Sequence, residues 1–442
     1  MAMGATARNV VSAARRGALP AALCLLGVRC LGSPLDFSLS TGLLASDNVT
    51  RVPSDAESDL IATAGLDLHF KQDTRLLKAA FDGDFAYLDF LRNSFGNEVI
   101  GRFDGTGSFA LIPELLSWSV RDDFGQIQVD PFRAITPENR QNVNYLSSGP
   151  DVTLRFGARN FVSLSGRYSL THYQVSDFDS KRTFGGISAG RDLGVASNIS
   201  LNAQTERIAF DNTALNSDYD RNSAFLRYEA SGVRTRLWVN AGGSHVDESA
   251  GGLSGPLLQA QVERTLSPAA KLAIGIGTQL TDAADSFREV RPGAVGGIET
   301  GPVAGTSETF RRRYVEASWS YTRSRTTIST TVRWTDDAYR VSQTLDLKHT
   351  EGQLRLERQI SPFVAAHLVG SIRNYDYVNA LSSSRDLIVG VGLTLRTGQN
   401  LSVAMDYARE DQAARIVQNT FHENRVSITL VYHPARIGMG VF

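Results

Sequence analysis

Residues Asp386 to Tyr407 read DLIVGVGLTLRTGQNLSVAMDY. Leu387, Val389, Val391, Leu393 and Leu395 take every second position, with Ile388, Gly390, Gly392 and Thr394 between them. The polar stretch TGQN (397–400) interrupts the run, and Leu401, Val403, Met405 and Tyr407 then resume it. Alternation with period two on both sides of a short polar break predicts two antiparallel strands joined by a tight turn. How far this unit repeats decides the fold.

It repeats along the whole chain. In LIATAGLDLHF (60–70), Leu60, Ala62, Ala64, Leu66, Leu68 and Phe70 share a face. After KQDT (71–74) come Leu77, Ala79, Phe81, Gly83, Phe85 and Tyr87, set against Lys78, Asp82 and Asp84. VSLSGRYSL (162–170) alternates in the same way, and so does the segment from Arg425 to His433. There Val426, Ile428, Leu430 and Tyr432 oppose Arg425, Ser427 and Thr429. The connections also alternate. GARN (157–160) and TGQN are short, whereas FDNTALNSDYDRN (210–222) and the glycine-rich run from Thr281 to Phe310 are long. Short turns at one end and long loops at the other describe an up-and-down meander with no helix. The pattern predicts about 20 strands, within a range of 16–20, each roughly 9–11 residues long. The segments near Phe184 and Leu345 resist assignment. An even count leaves both termini at the short-turn end, so the last strand is expected to pair with the first near Leu35 to Leu39.

The solvent of the apolar face distinguishes a soluble sandwich from a membrane barrel. The opposite face carries full charges at mid-strand: Arg102, Asp104, Arg121, Arg155, Arg167, Arg227, Glu229, Arg236, Glu263, Arg333, Arg355, Glu357, Arg373, Asp406 and Arg425. A water-filled lumen tolerates such a lining. Apolar positions near strand ends are often aromatic, as at Phe70, Tyr87, Tyr228, Trp319, Tyr321, Trp334, Tyr407 and Tyr432, which suits interfacial girdles. In hydrocarbon each unpaired backbone group costs several kcal/mol, so a spanning sheet must close on itself. The fold class read from the sequence is therefore all-β, a transmembrane antiparallel up-and-down β-barrel in the outer membrane. The charged residues named above line its lumen.

The chain has 442 residues and a formal net charge of -1, so no charge bias points to nucleic acid. Residues 1–32 read as a secretory signal peptide, with Arg8, Arg15 and Arg16 ahead of the apolar GALPAALCLLGV (17–28). Residues 33–442 then form a single barrel. Both cysteines, Cys24 and Cys30, fall within the signal segment, so the exported part needs no disulfide.

A search for chemistry returns little. The histidines are scattered without metal-ligand spacing, and RPGAVGGIETGPVAG (291–305) lacks the ending of a phosphate-binding loop. That glycine-rich run reads as a surface loop able to fold inward and narrow a pore. The carboxylate pairs Asp82/Asp84, Asp177/Asp179 and Asp218/Asp220 read as solvated groups or weak cation sites. Arg311 to Arg313 open a strand at the loop side, where they face lipid phosphates or solvent. No catalytic residue, metal site or cofactor is expected, and the chain does not read as an enzyme.

VDPFRAITPENRQNVNYLSSGPDVTLRFG (129–157) resembles a segment of outer-membrane barrels associated with PEP-CTERM/exosortase systems and exopolysaccharide gene clusters, within the β-barrel porin group. SLSTGLLASDNVTR (38–51) and TLSPAAKLAIGIG (265–277) are similar to the same family. The resemblance implies an outer-membrane channel for exopolysaccharide export, with the polymer and a periplasmic export protein as partners. It brings no catalytic residues. A general diffusion porin, or a plugged structural or surface-binding barrel, is the alternative. Outer-membrane lipid and the barrel-assembly machinery are the other expected partners, with Tyr432 and the terminal Phe442 as the assembly signal. Residues 434–442 either continue the last strand past a bulge at Pro434 or leave the sheet as a tail.

Overall fold

The computed structural model describes residues 35–248, 251–289, 305–380 and 382–434. The signal segment, the glycine-rich run up to 304 and the tail beyond Pro434, including Phe442, lie outside the described residues.

Alternation becomes strand throughout. The first half comprises β1 (Asp36–Ser46), β2 (Asp59–Asp73), β3 (Leu77–Phe90), β4 (Glu98–Ile112), β5 (Leu116–Gln128), β6 (Arg140–Phe156), β7 (Asn160–Tyr173), β8 (Ser180–Gly194), β9 (Ser197–Phe210) and β10 (Tyr219–Ser231). The second comprises β11 (Thr235–Glu248), β12 (Leu253–Ser267), β13 (Ala270–Thr281), β14 (Phe310–Arg323), β15 (Thr326–Tyr339), β16 (Leu347–Ser361), β17 (Val364–Tyr377), β18 (Ser382–Arg396), β19 (Leu401–Ala414) and β20 (Phe421–Tyr432). Each strand pairs antiparallel with its sequence neighbours in one 20-stranded sheet, and β1 pairs with β20 to close it. The count agrees with the alternation, because a strand exposed to lipid on one face must repeat the apolar position every second residue.

The closing seam differs in register from the sequence expectation. Tyr432 pairs with Leu39 and Arg425 with Ser46, so β20 lies along Leu39–Ser46 rather than near Leu35 to Leu39. This register puts Leu43 opposite Ile428 and Thr41 opposite Leu430 on the outer face, and keeps Ser46 beside Arg425 on the inner one. Val426 and Ile428 are 52% and 57% exposed, whereas Glu423 and Arg425 are 4% and 6% exposed. The same contrast recurs around the barrel. Exposed apolar side chains such as Leu164, Leu226, Ile276, Val332, Leu354 and Val391 form an outer belt. A closed antiparallel sheet with an even number of strands, short turns at one end and an outward apolar belt is an integral outer-membrane barrel.

β1 has 11 residues, and the other strands are longer than a membrane requires, up to 17 in β6. The surplus lies at the long-loop end. There the outward positions turn polar, with Asp122, Asn144, His172, Arg207, Arg313 and Asp336 succeeding the aliphatic residues. At this level the wall also parts in two places. β4 and β5 pair only from Phe103 and Phe124 onward, although β4 begins at Glu98. β12 and β13 pair only from Leu258 and Thr278, although β12 begins at Leu253. Strands can separate here because water or side chains satisfy the backbone. The Gln126 side-chain carbonyl, for instance, accepts the Gly101 amide at 3.2 Å. Within the belt the same gap would cost several kcal/mol per unpaired group.

One element contradicts the expectation of a chain without helix. α1 (Ala283–Glu289) opens the long β13–β14 connection. Asp282 caps it, its Oδ1 accepting the Asp285 amide at 2.9 Å. The isolated segment is too short to be stable alone, and what holds it is the barrel interior.

Candidate functional site, a mouth closed from within

The inner wall breaks its own polar pattern at the long-loop end. Ile61, Leu88, Phe90 and Ile100 form one buried apolar cluster with Val49 of the 47–58 loop. Ile127, Val143 and Tyr173 form a second, against Ala283 and Phe287 of α1 and Phe178. Ile208, Phe210, Tyr219, Val246 and Leu280 form a third. Apolar side chains facing a water-filled lumen are unfavourable unless covered, and covering one contributes about 1.5–3 kcal/mol. These clusters explain why the loops turn inward. Gly125 on β5 leaves the space that the Phe287 ring uses, since a Cβ there would meet the ring at 3.3 Å.

α1 is then fixed by charge. Arg182 on β8 reaches Asp282 Oδ1 at 2.6 Å and Asp285 Oδ1 at 3.4 Å, and Arg221 on β10 reaches Asp285 Oδ2 at 2.6 Å. Glu206 on β9 lies between the two arginines, 3.3 Å from Arg182 and 2.5 Å from Arg221. Tyr219 donates its hydroxyl to Asp282 Oδ2 at 2.8 Å. Arg288, one turn along α1, pairs with Asp285 and lies over the Tyr145 ring at 4.1 Å. Burial opposes ionisation of Asp285, but Arg221, Arg182 and Arg288 outweigh it and hold its carboxyl well below the usual carboxylate range.

A clasp of opposite polarity sits on the facing wall. Arg51, in the 47–58 loop, contributes the cation, 2.8 Å from Glu410 on β19 and 3.1 Å from Glu423 on β20. Arg425 also pairs with Glu410 at 3.0 Å, and Ser46 donates to Glu423 at 2.7 Å. Arg51 has a left-handed backbone, with φ of 55°. Such a conformation costs on the order of 1–3 kcal/mol and persists where surrounding contacts enforce it. Its third contact is the Ile135 carbonyl at 3.0 Å, in the 129–139 loop. That loop leaves β5, crosses the mouth and packs on the opposite wall. Its Phe132 ring lies 4.8 Å from the Tyr377 ring on β17, and the Phe132 carbonyl accepts Asn419 at 2.5 Å. Three loops of this chain therefore meet over the lumen, and the VDPFRAITPEN stretch is the one that bridges it.

Beneath the closure, the register places the charged residues singled out from the sequence on the inner face, mostly as lateral ion pairs. Arg121 holds Asp123 at 2.7 Å, Arg155 holds Asp192 at 2.9 Å, and Arg167 holds Asp151 at 2.6 Å. Arg227 pairs with Glu229, Arg333 with Glu316 at 2.9 Å, and Arg355 with Glu357 at 3.8 Å. His367 meets Asp406 at 3.0 Å, and Arg373 meets Asp386 at 4.0 Å. Arg236 lies opposite Glu263 in register, and Arg102 opposite Asp84. Asp104 is flanked by Asp82 and Asp123 on the neighbouring strands. A cavity of about 810 Å³ runs through this region, lined by Lys71, Lys78, Arg121, Arg167, Arg227 and Arg288 among others. A second, of about 780 Å³ at the short-turn end, is lined by Asp36, Asp67, Asp82, Asp84 and Arg102.

Other assignments shift. Arg221, within the stretch read as loop 210–222, lies on β10, because that loop spans only 211–218. Asp179 and Asp218 are not solvated tips. Asp179 accepts the Tyr173 amide at 2.7 Å and Asp218 accepts the Phe210 amide at 2.9 Å, closing their loops. Of Arg311 to Arg313, Arg312 turns inward to Asp337 at 2.6 Å, while Arg313 pairs outside with Asp336 at 3.7 Å. Phe70 is covered rather than lipid-exposed, its ring stacked 5.0 Å from Phe81. The sequence reading placed Glu206 among the inner-face anions but did not single out Arg51, Arg182, Asp282, Asp285, Glu410 or Glu423. The available signal was the run of inward Ile, Val and Phe residues at one end of several strands.

No family model and no curated relative matches the chain. Among solved structures, the siderophore receptor PirA from Pseudomonas aeruginosa is similar with 14% identity and a TM-score of 0.42, over 90% of this chain and 80% of that one. The FrpB iron transporter from Neisseria meningitidis has 8% identity and a TM-score of 0.41, over 90% and 81%. OccK2 (OpdF) from Pseudomonas aeruginosa has 12% identity and a TM-score of 0.36, over 90% and 98%. No ligand or activity transfers across likenesses of this level.

Proposed function

We propose that this barrel is a gated conduit for a hydrophilic polymer, an exopolysaccharide leaving the cell, that is opened when a periplasmic partner delivers the chain. The observation that supports it most is the nature of the closure. The lumen is polar and ion-paired along its wall, and the mouth is covered by loops of the same chain clasped through a few charge clusters. A closure of this kind opens by breaking contacts between loops and wall, with the wall itself left intact. A lining of arginine, aspartate, serine and asparagine offers many weak hydrogen bonds to a hydroxyl-rich chain, which transport requires. The resemblance at 129–157 supports the substrate class, and those residues include the loop that bridges the mouth.

The test is a clean deletion of the gene. Surface polysaccharide should disappear while polymer or its precursors accumulate inside, and unchanged surface polymer overturns the proposal. The rival reading, a permanently plugged structural barrel, draws on the density of the same ion pairs. Planar-bilayer recording separates the two. A gated conduit shows rare openings that become frequent when Asp282 and Asp285 are neutralised, whereas a structural plug stays silent in both forms. A steady open conductance in the unaltered protein would instead mark a diffusion porin.

A further inference from the structure

The latch beneath α1 has the composition of an occupied anion site. The wall contributes two guanidinium groups, Arg182 and Arg221, and a single carboxylate between them, Glu206. Besides Glu206, the carboxylates these guanidinium groups meet are Asp282 and Asp285, which come from the loop rather than the wall. Arg182 is 2% exposed, and its buried Nε–H finds no acceptor among the described residues. Without α1 the site keeps two forked donors and the Tyr219 hydroxyl around one internal carboxylate, a net positive charge on the lumen wall. Arginine forks in such a setting recognise carboxylates with two parallel hydrogen bonds. The site is also continuous with the lumen, because Glu206, Arg221, Asp285 and Arg288 line the 810 Å³ cavity together with Arg121, Arg167 and Arg227.

We propose that Arg182 and Arg221 form a binding site for an acidic carbohydrate, a chain bearing uronate-type carboxylates, and that Asp282 and Asp285 occupy it as an internal stand-in for those groups. The polymer and α1 then compete for the same guanidinium groups, so an acidic chain arriving from below displaces the helix and opens the mouth it is about to cross. This deepens the conduit reading and rests on it for the choice of a polymer. The acidic sector around Asp67, Asp82 and Asp84 lies on the β2–β3 wall, away from β8 and β10, and the arginines below the latch are each matched by a carboxylate.

The experiment uses the purified full-length barrel in detergent and in liposomes, with oligogalacturonate as the acidic probe and maltooligosaccharide of equal length as the neutral one. The Asp282→Asn, Asp285→Asn double variant should bind oligogalacturonate at least tenfold more tightly than the unaltered protein, with no gain for the neutral sugar. Adding Arg182→Gln and Arg221→Gln should abolish that gain. If this variant loses the heat-modifiable migration of a folded barrel, Arg221→Gln alone, at the less buried arginine, serves in its place. Equal binding of the two sugars, or no gain on neutralising the aspartates, overturns the site. Liposome permeation tests the conduit separately. Tight acidic binding without passage of either sugar leaves the site standing and removes the conduit.

Discussion

Arg182 Nη2 stands 2.6 Å from Asp282 Oδ1, although the two residues are 100 positions apart in the chain and belong to different layers, the barrel wall and the loop inside it. Asp285 completes the same cluster, so the latch depends on ionised carboxylates facing Arg182, Arg221 and Arg288, with Glu206, Tyr219 and Tyr145 around them. The sign of its pH dependence follows. The Asp285 carboxyl is held well below the usual carboxylate range in the folded protein. Its contribution is therefore fully present above the unfolded value of about 3.9 and is lost only as pH falls toward the depressed one. Bilayer recordings should show the mouth equally closed from about pH 8 to pH 5, with openings rising only below about pH 4. A gate that opens between pH 7 and pH 5 would exclude this latch as the controlling contact.

Arg51, in the 47–58 loop, joins the β19–β20 wall through Glu410 and Glu423 and the 129–139 loop through the Ile135 carbonyl. Removing one member of a buried ion pair costs about 3–5 kcal/mol. Arg425 remains to compensate Glu410, so Arg51→Gln should cost about 2–3 kcal/mol of local stability. The 129–139 loop would then open roughly 30- to 150-fold more often. Limited trypsin digestion should cut after the exposed Arg133 faster by about that factor, with heat-modifiable migration unchanged. Cleavage at the unaltered rate would mean that Phe132 and Asn419 hold the loop without Arg51.

The wall was legible in the sequence and the closure was not, for a physical reason. Lipid on the outside forces Val426, Ile428, Leu430 and Tyr432 into strict alternation, and a closed sheet with every pair antiparallel forces an even strand count, so both leave a periodic trace. The closure depends on pairs such as Arg51 with Glu410 and Arg182 with Asp282, whose partners are distant in sequence and have no fixed spacing. Arg221 was hidden for a second reason: SDYDRN (217–222) reads as a polar loop, because above the membrane belt the outward positions Asp220 and Asn222 are polar too. Inward apolar residues such as Ile61, Ile127, Val143 and Ile208 betrayed a covered interior, since open water offers no reason for apolar side chains on that face.

The two faces of β20 should answer differently to the same substitution. Ile428 is exposed toward lipid and Thr429 faces the lumen. Arginine on the lipid face of a barrel costs about 2–4 kcal/mol near the bilayer midplane, while a lumen position tolerates it. Reversible urea unfolding in lipid should therefore show Ile428→Arg destabilised by about that amount, and Thr429→Arg within about 1 kcal/mol of the unaltered protein. Equal losses would reverse the assignment of faces.

Closure itself is tested at the seam. Leu44 on β1 lies directly opposite Ser427 on β20, both toward the lumen, whereas Ile428 points to lipid. Opposed residues in an antiparallel pair have Cα atoms about 4.5–5.5 Å apart, inside the range a disulfide spans. The only cysteines of the sequence are Cys24 and Cys30, so introduced ones have no competitor in the barrel wall. The double variant Leu44→Cys, Ser427→Cys should therefore oxidise to an intramolecular bond that joins the two ends of the barrel. After boiling without reductant it should migrate as a compact ring, and with reductant as a linear chain. Leu44→Cys with Ile428→Cys places the thiols on opposite faces of the sheet and should stay reduced under the same conditions. Register slippage by one residue would exchange the two results, because each such slip turns every side chain of β20 to the other face. The pair of variants thus separates a closed barrel in this register from one slipped so that Leu44 faces Ile428, and failure of both to oxidise would rule out both registers.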